Sequence, residues 1–433
     1  MFERLKAARE VANQKTELKK LIADCDELIK EPGQSVSVGI ASRALNRYQK
    51  LDFGSRSEFY SQLATRYEPN IEHITRALDS HKEKRSPESL IELVRAVEPP
   101  RQELLRRLNR VSSGTAVIVR MREEILNALR SAPALAAVDA DFEHLLSSWF
   151  NPGFLELKRL DWMTPAHLLE KVIQHEAVHE IDGWGDLRRR LEPDRRLYAY
   201  FHPTLPNEPL IFVEVALLND MPSAVAPLLD RSKPPEVETK RYKVAAFYSI
   251  SNCQPGLKGI HLGNFLIKRV AEDLKLEFPG LKTFCTLSPI PSLAEFLLKG
   301  PKWKSGRYTA KELSRLEADF KELQPNLQNL SKSNAVLSAT HQNRLTRLCS
   351  AYLAQTAPDE SVRSDPVAKF HLNNGAILER VNLGADHSSK GLKQSFGMMV
   401  NYRYDLDKVE QNHESFVSGT TALSKAIRDL IKA

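Results

Sequence analysis

The sequence predicts an α+β chain, with an all-helical bundle over residues 1–150 and a mixed α/β domain over residues 151–433. Three observations predict it. Only four of the eighteen glycines (33, 39, 54 and 114) fall in the first 150 residues, and glycine costs about 1 kcal/mol inside a helix. Apolar residues in that segment recur at three- and four-residue spacing. From residue 151 onward, short apolar runs bounded by turn residues alternate with helical periodicity, the pattern of strands and helices sharing one domain.

In the first region Leu104, Leu105, Leu108 and Val111 share one helical face, and Ile118, Met121, Ile125 and Leu129 share another. Breaks at Pro32-Gly33, Gly54-Ser55, Glu68-Pro69, Ser86-Pro87, Pro99-Pro100, Gly114 and Pro133 divide the segment into about eight helices. Long helices with short connections and no cluster of reactive side chains describe a structural or oligomerisation domain. The pattern changes at Asn151-Pro152-Gly153. Leu197–Phe201 and Leu210–Leu217 are expected as an antiparallel strand pair, Tyr242–Ser251 as a further strand, and Leu281–Leu287 as another after an intervening helix. Residues 299–360 return to polar helical sequence, and Ala376–Asn382 and Gly397–Tyr404 are the last strand candidates.

Composition excludes several classes. Of 433 residues, 42% are hydrophobic and 27% charged, an ordinary globular balance that excludes disordered and collagenous chains. No apolar run approaches the length of a membrane helix, so no membrane partner is expected. Residues 1–31 are charged throughout, with frequent acidic residues, and the C-terminus reads Ile431-Lys432-Ala433; neither a secretory, a transit nor a peroxisomal signal is expected. Four cysteines (Cys25, Cys253, Cys285, Cys349) without paired spacing argue against a disulfide framework and a cysteine zinc site, and favour a reducing cytoplasm. The net charge of +7 suits either a polyanionic ligand or a plainly basic surface. Arg188-Arg189-Arg190 and Arg195-Arg196 carry no interleaved aromatics, so nucleic acid is not expected as a partner.

Four motifs carry possible chemistry. His175-Glu176-Ala177-Val178-His179 is a literal H-E-x-x-H, which on one helical turn binds zinc. Asp182-Gly183 cuts the expected helix soon afterward, and no metal is expected there. Gln254-Pro255-Gly256-Leu257-Lys258-Gly259 lies between a strand and a helix whose apolar face is Leu262, Phe265, Leu266, Val270 and Leu274. Glycines at 256 and 259 permit positive φ and close backbone approach, and a helix N-terminus directly after them suits a pyrophosphate. The spacing matches neither an NTP P-loop nor a Rossmann fingerprint. Ser288, in Leu287-Ser288-Pro289-Ile290-Pro291, ends a strand that Pro289 stops. His371 sits near the end of a short helix opened by Asp365-Pro366 and closed by Gly375, on the face of Val367 and Phe370.

The glycine loop resembles the pyrophosphate loop of GNAT-like acetyltransferases. Taken together, the motifs resemble the malonyl-CoA decarboxylase family over roughly residues 150–405: Phe247-Tyr248-Ser249-Ile250-Ser251, the glycine loop with its helix, Leu287–Pro291, Pro366–Ala376, and Met399-Val400-Asn401-Tyr402-Arg403-Tyr404. The resemblance implies a helical domain before a GNAT-like catalytic domain. It implies Ser288 and His371 as catalytic serine and histidine, with Tyr404 beside them, and Lys258, Gly259, Ile260, His261, Leu262, Gly263 and Asn264 as the acyl-CoA loop. Animal members carry a glutamate in this loop where this chain has His261. The implied reaction converts malonyl-CoA to acetyl-CoA and carbon dioxide in a homo-oligomer, dimer or tetramer, assembled through the helical domain. The thioester is its own electron sink, so no cofactor beyond the coenzyme A of the substrate is expected. Two other classes stay open. A GNAT-like acetyltransferase needs an amine acceptor, and a non-catalytic acyl-CoA sensor needs the loop without Ser288 and His371.

Overall fold

The computed structural model describes residues 2–31, 33–260, 262, 266–304, 306–332, 337–358 and 364–432. It is α+β, a helical region followed by a mixed sheet region, and its contacts divide it into two compact units. The first holds Met1–Leu155 together with two later segments, His202–Asn207 and Gln254–His261. The second holds Glu156–Phe201, Glu208–Cys253 and Leu262–Ala433.

The first unit contains eight α-helices among the described residues: α1 (Phe2–Lys30), α2 (Gln34–Lys50), α3 (Phe53–Thr65), α4 (Ile71–Lys84), α5 (Pro87–Val97), α6 (Pro100–Leu108), α7 (Gly114–Ala128) and α8 (Ala136–Trp149). Their starts follow the capping chemistry of the sequence. Asp52 accepts from the Ser55 N–H at 2.8 Å and Asn70 from His73 at 2.9 Å, each satisfying an orphan donor of the first turn. Ser86 and Ser89 cap α5 reciprocally, with Pro87 at its first position. The periodic residues Leu104, Leu105, Leu108, Ile118, Met121 and Ile125 are all buried, each worth about 1.5–3 kcal/mol in removal from water. Ile71, Leu78, Leu90, Ile91, Val94 and Val97, on the α4–α5 hairpin, are exposed instead.

The second unit is built on eight strands among the described residues: β1 (Glu156–Leu160), β2 (Arg195–Phe201), β3 (Ile211–Leu218), β4 (Val244–Asn252), β5 (Thr283–Thr286), β6 (Ser288–Pro289), β7 (Ile377–Asn382) and β8 (Met399–Tyr404). The order is β1-β2-β3-β4-β5-β8-β6, with β7 also on β8. All pairs are antiparallel except β4 with β5, whose register ends at Phe247 opposite Thr286. Beyond that point β4 continues along β3 to Asn252, while the other chain passes to β6 and pairs with β8. Ser288 stands at this fork. The helices are α9 (Ala166–His175), α10 (Gly183–Arg190), α11 (Ala226–Leu229), α12 (Leu266–Glu277), α13 (Leu293–Leu298), α14 (Ala310–Leu330), α15 (Ala339–Ala354), α16 (Pro366–Asn373), α17 (Ser389–Ser395), α18 (Val409–Val417) and α19 (Lys425–Lys432).

Three expectations change. Glu156–Leu160 reads as Glu-Leu-Lys-Arg-Leu, without an apolar alternation, yet forms β1; it pairs on one side with β2, and its charges suit an edge. Pro289 does not simply stop the strand before it, because Ser288 and Pro289 form their own short pairing with Val400 and Met399. Leu262 is not helical, although it was expected on the apolar face of the helix after the glycine loop; α12 buries Leu266, Ile267, Val270, Ala271 and Leu274, and Phe265 lies outside the described residues.

Candidate active site

Three side chains distant in sequence meet inside the second unit. Thr286 and Ser288 project to one face by the period of two. Leu287, between them, is fully buried and ties its N–H to the Phe247 carbonyl at 3.0 Å. Helix α16 delivers His371. Asp365 caps this helix, its Oδ1 accepting from the N–H groups of Val367 (3.0 Å) and Ala368 (3.1 Å). Its Oδ2 accepts from the Ser292 N–H at 3.0 Å, so one carboxyl group joins the start of the histidine helix to the segment four residues beyond Ser288. Gly375 ends the helix region at φ +75°, where a Cβ would overlap the Val409 carbonyl. The buried residues of α16 are Ala368, His371 and Leu372, rather than the Val367 and Phe370 face read from the sequence.

The imidazole uses both nitrogens. His371 Nε2 lies 3.0 Å from Ser288 Oγ, and Nδ1 lies 2.8 Å from the Tyr404 hydroxyl. Tyr402, two residues before Tyr404 and on the same face, stacks on the ring with centroids 4.7 Å apart and planes at 27°. Ser288 donates onward to Thr286 Oγ1 at 2.8 Å. His371 is 3% exposed, and burial pushes its pKa down to about 3, so the ring is neutral at pH 7. Burial holds the Tyr402 and Tyr404 phenols well above their ordinary value, and for Tyr402 the nearby Asp365 adds to the effect. Burial also raises Asp365 to about 6, against the pull of its three backbone donors. The result is a buried, neutral hydrogen-bonded chain from Ser288 through His371 to Tyr404.

Two models of one family cover most of the sequence. "Malonyl-CoA decarboxylase N-terminal domain" matches residues 67–150 and "Malonyl-CoA decarboxylase C-terminal domain" matches residues 153–433. The chain belongs to the malonyl-CoA decarboxylase family. The rat protein "Malonyl-CoA decarboxylase, mitochondrial" (Rattus norvegicus) is 36% identical over 340 residues, covering 74% of this chain and 69% of its own. The crystal structure of malonyl-CoA decarboxylase from Rhodopseudomonas palustris superposes with a TM-score of 0.84 at 43% identity, over 95% of this chain and 99% of that one. The structure from Agrobacterium vitis gives 0.82 at 42% identity, with the same coverage.

In this malonyl-CoA decarboxylase family member the glycine loop has a more specific local role than its spacing foretold. Gly259 does adopt φ +86°. Gly256 does not have positive φ; it is glycine because a Cβ would overlap the Val119 carbonyl of α7. Arg122 of α7, itself bonded to Asp139, donates to the carbonyls of Gly256 (3.0 Å) and Lys258 (2.7 Å). Lys258 and Gly259 are exposed, whereas Ile260 and Leu262 are buried. His261, Gly263 and Asn264 lie outside the described residues.

The H-E-x-x-H segment does not stay helical. α9 ends at His175, and Glu176 is already extended, so the two imidazoles do not share a helical turn. The Glu176 carboxyl accepts from Ser249 Oγ at 2.7 Å and Ser251 Oγ at 3.1 Å, and from the N–H groups of Val178 and His179 at 2.8 Å. It pins this segment to β4. Sequence reasoning missed Thr286 and Tyr402 beside this hydrogen-bond chain, although each lies two residues from a residue it had singled out.

Proposed function

We propose that the chain decarboxylates malonyl-CoA to acetyl-CoA and carbon dioxide, with Ser288 and His371 as its proton-transfer pair, Tyr404 behind them, and no metal. The observation that carries this reading is the buried hydrogen-bond chain from Ser288 through His371 to Tyr404 in a member of this family. In the reaction, the bond between the α-carbon and the carboxylate breaks, and its electron pair passes into the thioester carbonyl as an enolate. Carbon dioxide leaves, and the α-carbon takes one proton, which solvent later restores to the protein. The thioester accepts the electrons, so no prosthetic group is needed. A neutral imidazole suits this task as a hydrogen-bond donor, because the group it serves is a strongly basic enolate. Lys258, Gly259, Ile260, His261, Leu262, Gly263 and Asn264 are proposed to hold the coenzyme A moiety. Exposure of Lys258 and Gly259 is consistent with that.

The test is incubation of purified protein with malonyl-CoA in metal-free buffer without an amine acceptor. Stoichiometric acetyl-CoA and carbon dioxide are expected; acetyl transfer only when an amine is added would replace this reading with the acetyltransferase one. We also propose that the helical unit mediates a homo-oligomer. The exposed apolar residues of the α4–α5 hairpin support it, and sedimentation of the wild type against Ile91→Glu measures it. A reducing compartment, the cytoplasm, is proposed from four buried free cysteines.

A further inference from the structure

The direction of the proton relay is legible in its hydrogen bonds. A serine hydroxyl has one proton and two lone pairs. Ser288 donates its proton to Thr286 Oγ1 at 2.8 Å, so its 3.0 Å contact with His371 Nε2 places the hydrogen on the nitrogen, with the serine oxygen accepting. A neutral imidazole that donates from Nε2 has a lone pair on Nδ1. The Tyr404 hydroxyl at 2.8 Å then donates to it. The chain therefore runs from Tyr404 to His371 to Ser288 to Thr286. This is the reverse of the arrangement that activates a serine nucleophile, in which the imidazole accepts the serine proton.

Thr286 is built to receive. It is fully buried, so water does not compete for the serine proton. The N–H of Tyr402 donates to Thr286 Oγ1 at 3.2 Å, and Asn401 Nδ2 donates to the Thr286 carbonyl at 2.7 Å. Both donors come from β8, the strand that carries Tyr404. One strand thus supplies the phenol at the head of the relay and fixes the hydroxyl at its end.

We propose that Thr286 is a positioning residue that takes the Ser288 proton and thereby holds His371 as the Nε2–H tautomer. This extends the proton-transfer reading above by giving it a direction. It makes Ser288 a proton-presenting group rather than a nucleophile, and no acyl-serine intermediate is formed.

The experiment is 15N NMR of the full-length protein labelled at histidine, with the His371 signals assigned by their loss in His371→Gln. The two neutral tautomers differ in which nitrogen carries the proton, and the spectrum reads this without substrate. The wild type is expected to show the Nε2–H form. In Thr286→Val the serine proton turns to Nε2 and the ring becomes the Nδ1–H form. The same variant is expected to lose about tenfold in kcat with KM within about twofold, and Thr286→Ser is expected to restore both the tautomer and kcat. An Nδ1–H signal in the wild type overturns the proposal, and so does an unchanged tautomer in a folded Thr286→Val. If Thr286→Val does not fold, the wild-type spectrum and the Thr286→Ser variant still decide it. Failure of the wild type to release carbon dioxide would instead remove the proposed reaction and leave the tautomer result standing.

Discussion

Two buried histidines of the second unit invite comparison. His179 belongs to a well-known motif and His371 to none. Both are pushed below their ordinary value by burial, His179 to about 4 and His371 to about 3. His179 Nε2 has no hydrogen-bond partner among the described residues, and its ring lies 6.4 Å from Tyr248. His371 has a hydroxyl at each nitrogen and a phenol stacked on its face. Burial alone therefore does not distinguish the two rings. What distinguishes them is that both nitrogens of His371 have hydroxyl partners, whereas Nε2 of His179 has none among the described residues.

The largest expected effect removes the connected histidine or its serine. Ser288→Ala and His371→Ala are each expected to lower kcat by about 10²–10⁴, and the double variant is expected to be little worse than the worse single. Binding of acetyl-CoA, followed by calorimetry, should persist in all three. Additive losses would mean that the two side chains do not act as one unit.

The corresponding change at the other histidine's segment should act on stability and leave kcat alone. Glu176→Ala strands two serine hydroxyls and two N–H groups and is expected to cost about 3 kcal/mol. Urea titration reads this, and kcat of the folded fraction should stay near wild type. A kcat loss without a stability loss would move Glu176 into the catalytic chemistry.

Tyr404→Phe sharpens the comparison, because it leaves His371 with an empty Nδ1, like the unpartnered nitrogen of His179. About a tenfold fall in kcat is expected, with little change in KM.

Both imidazoles also act through pH. Their folded pKa lies below the ordinary 6.5, so between that value and the folded one the unfolded chain binds more protons. Their contribution to stability is present above pH 6.5 and is lost as pH falls, by up to about 1.4 kcal/mol per pH unit for each. Asp365 and Glu214, raised by burial to about 6 and about 7, have the opposite sign. The histidine effect is therefore read as a difference, His371→Gln against wild type, in denaturation midpoints across pH 4–7. Equal pH dependence in the two proteins would contradict the buried neutral ring.

The smallest effect is the most direct check on the motif. His175→Ala, or EDTA, is expected to leave turnover unchanged. Loss of activity together with a stoichiometric metal would restore the zinc reading.

Much of the fold was legible because it rests on local periodicity. The faces of Leu104–Leu108 and Ile118–Ile125 and the strands around Tyr198, Val213 and Phe247 follow from spacing alone. β1 was not legible, because an edge strand needs no apolar alternation. The site was legible in parts. Thr286 and Ser288 share a face by the period of two, and so do Tyr402 and Tyr404. No spacing rule joins Asp365 to the Ser292 N–H, 73 residues earlier. Nor does one reveal that Gly256 is glycine because of Val119. Such facts belong to the packing of distant segments, which a single sequence does not display.

That last contact bears on modularity. Gln254–Ile260 is held by helices that precede it by more than a hundred residues, through the backbone approach of Gly256 to Val119 and the carbonyls of Gly256 and Lys258 bonded by Arg122. The chain is therefore not two modules in series. Scissors applied near residue 150 would leave the later piece with a loop whose scaffold had been cut away. Shuffling the helical region for an unrelated bundle would fail for the same reason, unless the replacement offered a small-residue seat and a buried guanidinium at the same place.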